Sequence, residues 1–401
     1  MAIKTIQQFY SKVEQELFKN IIPFWIEKTI DRENGGFYGR ITNDLKIEPE
    51  APKSLILHAR ILWTFATLYS FNKTESYLKI AQRAYEYIRN YFYDKKYGGT
   101  FWLIDAHGKV LNDKKKMYGQ AFTIYALAAY FTASGSKVVL DEAIEIFNRI
   151  EKHNYDKLNE GYFETSNQNW TIAEEMRLSE IDMNEMKSMN THLHLMEAYT
   201  ALLGVWPEQC LKEKLSGLIQ NFEINIIDTK TLHFNLFFDE EWHPKSHSIS
   251  FGHDIEGSWL LCEAAEAQED QKLLARIRET AVRMARITAK EGFSDHNTIY
   301  AEQNGNGKIY KESHWWQQAE AIVGFLNAYE ITNEQFFMDV AIKCWQAVED
   351  RFIDRKFGEW YYEIDAEGNP DMRRYKVSEW KGPYHNGRAC MEILKRLKKF
   401  R

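Results

Sequence analysis

Three histidines, His194, His253 and His385, stand at the starts of apolar, helix-like runs: NTHLHLMEAYT, FGHDIEGSWLLCEAA and YHNGRACMEILKRL. Histidine has the side-chain pKa nearest neutrality, so it suits proton transfer. A single histidine before a helix is more often a cap or a packed side chain. Three at equivalent places in a repeating architecture point to one cavity ringed by acid/base groups.

Other polar residues open the same kind of run. His58 and Arg60 begin one, Tyr118 and Gln120 a second, Asn190 and His192 join His194, and Asp254 and Glu256 follow His253. His314, Trp315, Trp316, Gln317 and Glu320 open a fifth, and Trp380, Tyr384, Asn386 and Arg388 surround His385. Packing alone would scatter Lys and Glu there. His192 and His194 are two apart and point to different sides of a helix, so one of them faces the cavity. His253 and Glu256 are three apart and share a face, the spacing of a carboxylate that orients an imidazole and raises its basicity. No HExxH or comparable ligand set is present, so no metal site is expected. Arg60, inside an apolar run, needs an anionic or strongly polar partner, either a developing oxyanion or a structural Glu. Trp316 and Trp380 suit stacking on sugar rings or plain packing in equal measure.

The elements that carry these residues repeat about every 60 to 70 residues. One half of the unit is a Gly/aromatic segment, usually led by Asp: DRENGGFYGR from Asp31, DKKYGGTFWLID from Asp94, DKLNEGYFETS from Asp156, DTKTLHFNLFFDE from Asp228 and DRKFGEWYYEIDAEGN from Asp354. EGFSDHNTIYAEQ, from Glu291, is a degenerate copy. Glycine followed by alternating aromatics predicts a turn into a short strand or hairpin. The other half is a helix pair. One member is nearly apolar all round, as in ILHARILWTFATLYSF and YGQAFTIYALAAYF, and the other is amphipathic, as in YLKIAQRAYEYIRNYF and LDEAIEIFNRIEKH. The first kind is buried and the second lies outside. Six units give about twelve helices, which either close into an all-α (α/α)6 barrel with short β-hairpins in its loops or form an open solenoid. The clustering of polar residues at one end of the inner helices favours closure around a shared mouth.

Composition narrows the function. Apolar residues are 44% of 401, enough for a substantial core, and seven prolines with no Gly/Ser-rich linker favour one domain over 1–401. A formal charge of −7 and no long basic run argue against nucleic acid. The basic C-terminal KRLKKFR suits the negative end of the last helix. No secretory segment and no apolar stretch near 18 residues are seen, so neither membrane nor export is expected. Cys210, Cys262, Cys344 and Cys390 lack CxxC spacing and read as reduced core thiols of a cytoplasmic protein. Aromatics at 14% are high, and aromatic-rich clefts often bind sugars, though a core of large side chains accounts for most of them.

NGGFYGRITND, APKSLILHARILWTF, KSMNTHLHLMEAYT, SFGHDIEGSWLL, WWQQAEAIVGF and EWKGPYHNGRACMEI, in this order and spacing, carry a resemblance that spans essentially the whole chain. The chain resembles the N-acylglucosamine 2-epimerase superfamily and, within it, the group of cellobiose 2-epimerases. The resemblance implies an (α/α)6 barrel and a cofactor-independent deprotonation–reprotonation of the reducing-end sugar of a β-1,4-linked disaccharide. It further implies that His385 and His253 are the acid/base pair at C2, that His194 assists ring opening and that Arg60 stabilises the enediolate. Glu256 would orient and tune a histidine, and Tyr118, Asp182, Asn190, Trp316 and Trp380 would bind substrate. It implies a small-molecule sugar as partner and a monomer or homodimer. A monosaccharide enzyme of the same fold (a mannose or N-acylglucosamine 2-epimerase, or an aldose–ketose isomerase) is the nearest alternative. Glycoside hydrolysis would use carboxylates such as Asp182, Asp254, Glu256 and Glu320, but histidines outnumber what that reaction needs. A non-catalytic sugar-binding protein is the third class.

Overall fold

The computed structural model describes residues 5–400; Met1–Lys4 and Arg401, the extremes of the expected domain and the last residue of KRLKKFR, lie outside the described residues. Helices alternate between outer and inner along the chain. The outer set is α1 (Ile6–Glu16) continued by α2 (Ile22–Lys28), then α4 (Glu75–Tyr87), α6 (Lys137–His153), α8 (Gln209–Asn221), α10 (Gln271–Glu291) and α12 (Gln335–Ala347). The inner set is α3 (Leu55–Asn72), α5 (Met117–Ser134), α7 (Met189–Leu203), α9 (Phe251–Ala267), α11 (Trp315–Thr332) and α13 (Tyr384–Leu397). Each inner helix packs on the next, and α13 packs back on α3, which closes the ring. The barrel is therefore (α/α)6, not an open solenoid. The N-terminal α1 packs on α13 and so supplies the outer partner of the last inner helix. Helices such as α5, without a charged residue in MYGQAFTIYALAAYFTAS, bury most positions up to the last turn, whereas α6 keeps a charged face in solvent.

The Gly/aromatic segments form hairpins at one end of the barrel. Each two-residue strand that enters an inner helix pairs with the hairpin of the following unit. Lys53–Ser54 pairs with Leu103–Ile104, Lys115–Lys116 with Thr165–Ser166, Lys187–Ser188 with Phe237–Phe238 and Ser313–His314 with Glu363–Ile364. Ile41–Thr42 pairs with Tyr375–Val377 and joins the first unit to the last. The leading aspartate pins each turn. Asp94 Oδ1 accepts from the Lys96 and Tyr97 amides, and its other oxygen takes the buried Lys115 ammonium at 2.8 Å. Asp31–Lys53 and Asp156–Lys187 repeat this pin at 2.7 and 2.8 Å, and Asp354–Lys376 repeats it too. An ion pair this deep is costly to break, because either partner alone would leave an uncompensated buried charge.

The fourth residue of five inner helices accepts a hydrogen bond from the hairpin that precedes that helix. His58 Nε2 takes the Phe37 amide, Gln120 the Thr100 amide, His192 Nε2 the Tyr162 amide, Asp254 the Phe234 amide and Gln318 the Ile299 amide. This contact explains the glycines of the motif. At Gly99 and Gly161, both with positive φ, a Cβ would stand 2.8 Å from Gln120 Oε1 and from His192 Nε2.

Among the described residues no helix is long and apolar enough to cross a membrane. Cys262, Cys344 and Cys390 are buried free thiols, as read from the sequence, but Cys210 is exposed on α8 and is not a core residue.

Candidate active site

The hairpin end of the barrel encloses a cavity of about 380 Å³. All ten residues to which the resemblance gives a role line it: Arg60, Tyr118, Asp182, Asn190, His194, His253, Glu256, Trp316, Trp380 and His385. Helix geometry explains the convergence. Tyr118, Asn190, Trp316 and His385 are the second residues of their helices, and Arg60, His194, Glu256 and Glu320 the sixth. These positions are one turn apart on one face. The fourth position lies on another face, so His58 and His192 point into the hairpins instead. Both are fully buried, receive an amide at Nε2 and place Nδ1 against the Ser54 or Ser188 carbonyl. Burial pulls each down to about 3, and both are neutral structural groups.

His194 and His385 share a buried charge network. His194 Nδ1 lies 2.9 Å from Glu197 Oε2. The other Glu197 oxygen accepts from the Tyr384 hydroxyl and from Arg388. Arg388 also reaches Glu256 at 2.7 Å and Glu320 at 2.8 Å. Glu320 Oε1 in turn lies 2.7 Å from His385 Nδ1, and Trp259 donates to its other oxygen at 3.2 Å. With Nδ1 engaged, Nε2 is the nitrogen each imidazole has left for substrate.

The expected His253–Glu256 pairing does not form. Glu256 turns to Arg388 and lies 4.0 Å from His385 Nδ1, while His253 Nδ1 meets the Ser250 hydroxyl at 2.7 Å. Shared-face spacing allowed the pair, but a guanidinium on α13 is the stronger partner for a buried carboxylate. The sequence alone gives Glu197 and Arg388 no role. His194-x-x-Glu197 has the same i,i+3 spacing as His253-x-x-Glu256 and was the available signal for Glu197.

Burial sets the electrostatics. It pulls His253 down to about 3, with His194 adding to the shift. It also lowers His385, and Arg60 and Arg388 reinforce it. His194 is lowered by burial against the pull of Glu197. Burial and mutual repulsion raise Glu256 well above the carboxylate range, and burial raises Glu320 against the opposing pull of Arg388. Burial also raises Glu197, but Arg388 and His194 outweigh it and hold that carboxyl below its ordinary value. Glu256, Glu320 and His385 bring ligand-type atoms within 4.8 Å of one another, the one such grouping among the described residues. Arg388 already contacts both carboxylates and supplies positive charge there.

The rest of the lining is aromatic and polar. Trp316 contacts both imidazoles, its ring centroid 4.7 Å from His253 and 5.7 Å from His385. Arg60 donates to Tyr118 Oη at 2.9 Å and to the Trp380 carbonyl, and no carboxylate pairs with it among the described residues. Asn190 Oδ1 is buried without a hydrogen-bond partner among the described residues. Asp182 receives the Ser179 amide and hydroxyl at 2.8 and 2.7 Å, in an irregular segment at the rim.

The family model for N-acylglucosamine 2-epimerase matches residues 36–387. The chain belongs to the N-acylglucosamine 2-epimerase family. It is 41% identical over 384 residues to a cellobiose 2-epimerase of Bacteroides fragilis, covering 96% of this chain and 98% of that one. The solved cellobiose 2-epimerase of Spirochaeta thermophila matches with a TM-score of 0.91 at 38% identity, over 98% of both chains. A sugar epimerase from a ruminal bacterium gives 0.93 at 35% identity, over 97% and 99%. Membership makes the protein a carbohydrate epimerase, an isomerase, and the likeness extends over the whole barrel.

Proposed function

We propose that the protein is a 2-epimerase that converts the reducing-end glucose unit of a β-1,4-linked disaccharide, such as cellobiose or lactose, to the mannose configuration without a cofactor. The observation that carries this reading is the placement of His253 and His385, from different helices, in one cavity with Trp316 against both rings. The names of the relatives at 38% and 41% identity support the substrate class.

The reducing-end ring opens to its aldehyde, with His194 handling the proton near O1 or O5. One histidine of the pair removes the C2 proton, which is weakly acidic because the carbonyl takes up the charge. Arg60 faces the enediolate oxygens and stabilises them where water is excluded. Rotation about C2–C3 presents the other face, and the second histidine returns a proton. Burial keeps both imidazoles neutral at rest, so either can act as the base, and the one that returns the proton must first receive it from a neighbouring group. The two have unequal support. His385 is backed by Glu320 and neighbours the raised Glu256–Glu320 pair, which can hold a proton beside it. Among the described residues, His253 has only the Ser250 hydroxyl as a hydrogen-bond partner. Trp316 and Trp380 stack on sugar rings, and Tyr118, Asp182 and Asn190 take hydroxyls.

Assay of His253→Ala and His385→Ala with cellobiose tests the assignment. Each is expected to abolish formation of the mannose-ended disaccharide while keeping the thermal unfolding of the unaltered protein. Near-normal turnover by either variant contradicts the two-histidine pair.

A further inference from the structure

Lys116 stands where two other inner helices carry a capping serine. The residue just before an inner helix is Ser54 at α3 and Ser188 at α7, and each caps its helix. At α5 the same place holds Lys116, which makes no side-chain cap. Forgoing a serine cap leaves a helix-start amide without that acceptor and lowers helix stability. Lys116 is also buried, and burial pulls its ammonium down to about 8. The neighbouring Lys115 answers the cost of burial with Asp94, but Lys116 does not. Its hydrogen bonds go to the Arg177 and Leu178 carbonyls, at 2.7 and 3.0 Å, over the face of Trp102.

Those carbonyls begin the segment that crosses the cavity mouth. Leu178, Ser179, Glu180, Ile181 and Asp182 all line the catalytic cavity. The segment has no helix or strand of its own from 173 to 186. The histidines line the same cavity from the inner helices and the segment lines it from the loop side, so a substrate longer than one sugar can meet both.

We propose that Lys116 is a positioning residue that holds the 177–182 segment across the mouth, so that the Ser179–Asp182 pair meets the sugar beyond the reducing-end ring. This rests on the disaccharide reading above. Binding energy made equally in ground and transition states appears in KM alone. Lys116→Met is therefore expected to raise KM for cellobiose about tenfold and to change kcat by less than about twofold. The Ki of D-mannose as a competitive inhibitor stays unchanged, and trypsin cuts faster after Arg177. Lys116→Gln, which keeps a polar side chain, carries the same test if the methionine variant does not fold. An unchanged KM, or kcat and Ki moving in step with KM, overturns the proposal. If the unaltered protein does not turn over cellobiose, the disaccharide reading fails by itself. Tryptic cleavage after Arg177 then decides on the anchor: a rate equal in variant and unaltered protein overturns it.

Discussion

Glu320 Oε1 stands 2.7 Å from His385 Nδ1 and 2.8 Å from the Arg388 guanidinium. One carboxylate thus fixes the orientation of an acid/base imidazole while an arginine fixes the carboxylate. Glu320→Gln removes the charge and lets an amide N–H face Nδ1, which favours the wrong tautomer. The expected result is a fall in kcat of about 100-fold with the fold intact. A kcat within twofold of the unaltered enzyme, measured across the pH range, contradicts this role.

Arg388 is the cation shared by Glu197, Glu256 and Glu320. Arg388→Met leaves three buried carboxylates without it. Destabilisation of about 3–5 kcal/mol is expected from urea unfolding. A loss below about 1 kcal/mol would mean that the carboxylates find other partners or protonate at little cost.

The same residue bears on metals. Because its guanidinium already contacts Glu256 and Glu320 beside His385, activity is expected to survive exhaustive dialysis against EDTA. Loss of turnover that a divalent ion restores contradicts this.

His192 and His194 are two residues apart with different duties. Gln120 and Gln318 do at their helices what His192 does at α7, so His192→Gln is expected to keep kcat, whereas His194→Gln loses it. The His192 pKa is depressed to about 3 from an ordinary 6.5. Its contribution to stability is fully present above pH 6.5 and is lost as pH falls toward 3, because the unfolded chain takes the proton first. His192→Gln should flatten the pH dependence of unfolding in that window by about 1.4 kcal/mol per pH unit. An unchanged slope would show that His192 is not held neutral.

Much of this was legible in the sequence. The alternation of all-apolar and amphipathic helices, with Asp-led Gly/aromatic turns between them, specified the toroid. The polar residues at the inner-helix starts specified which end carries the cavity. That α1 serves as the outer partner of α13 was not legible, because the two lie at opposite ends of the chain. Which carboxylate serves which histidine was hidden for the same reason: Glu320 on α11 meets His385 on α13, while periodicity reports only on neighbours within one helix. The structural duty of His58 and His192 was not legible either, because the amides they accept, from Phe37 and Tyr162, lie 21 and 30 residues earlier in the chain.

The central claim is proton transfer at C2 by groups within one cavity. Proton NMR of cellobiose incubated with the protein in heavy water tests it most directly. The expected result is an intact disaccharide with a mannose reducing end that carries deuterium at C2. Free glucose, or an epimerised product that retains its original C2 hydrogen, would contradict it.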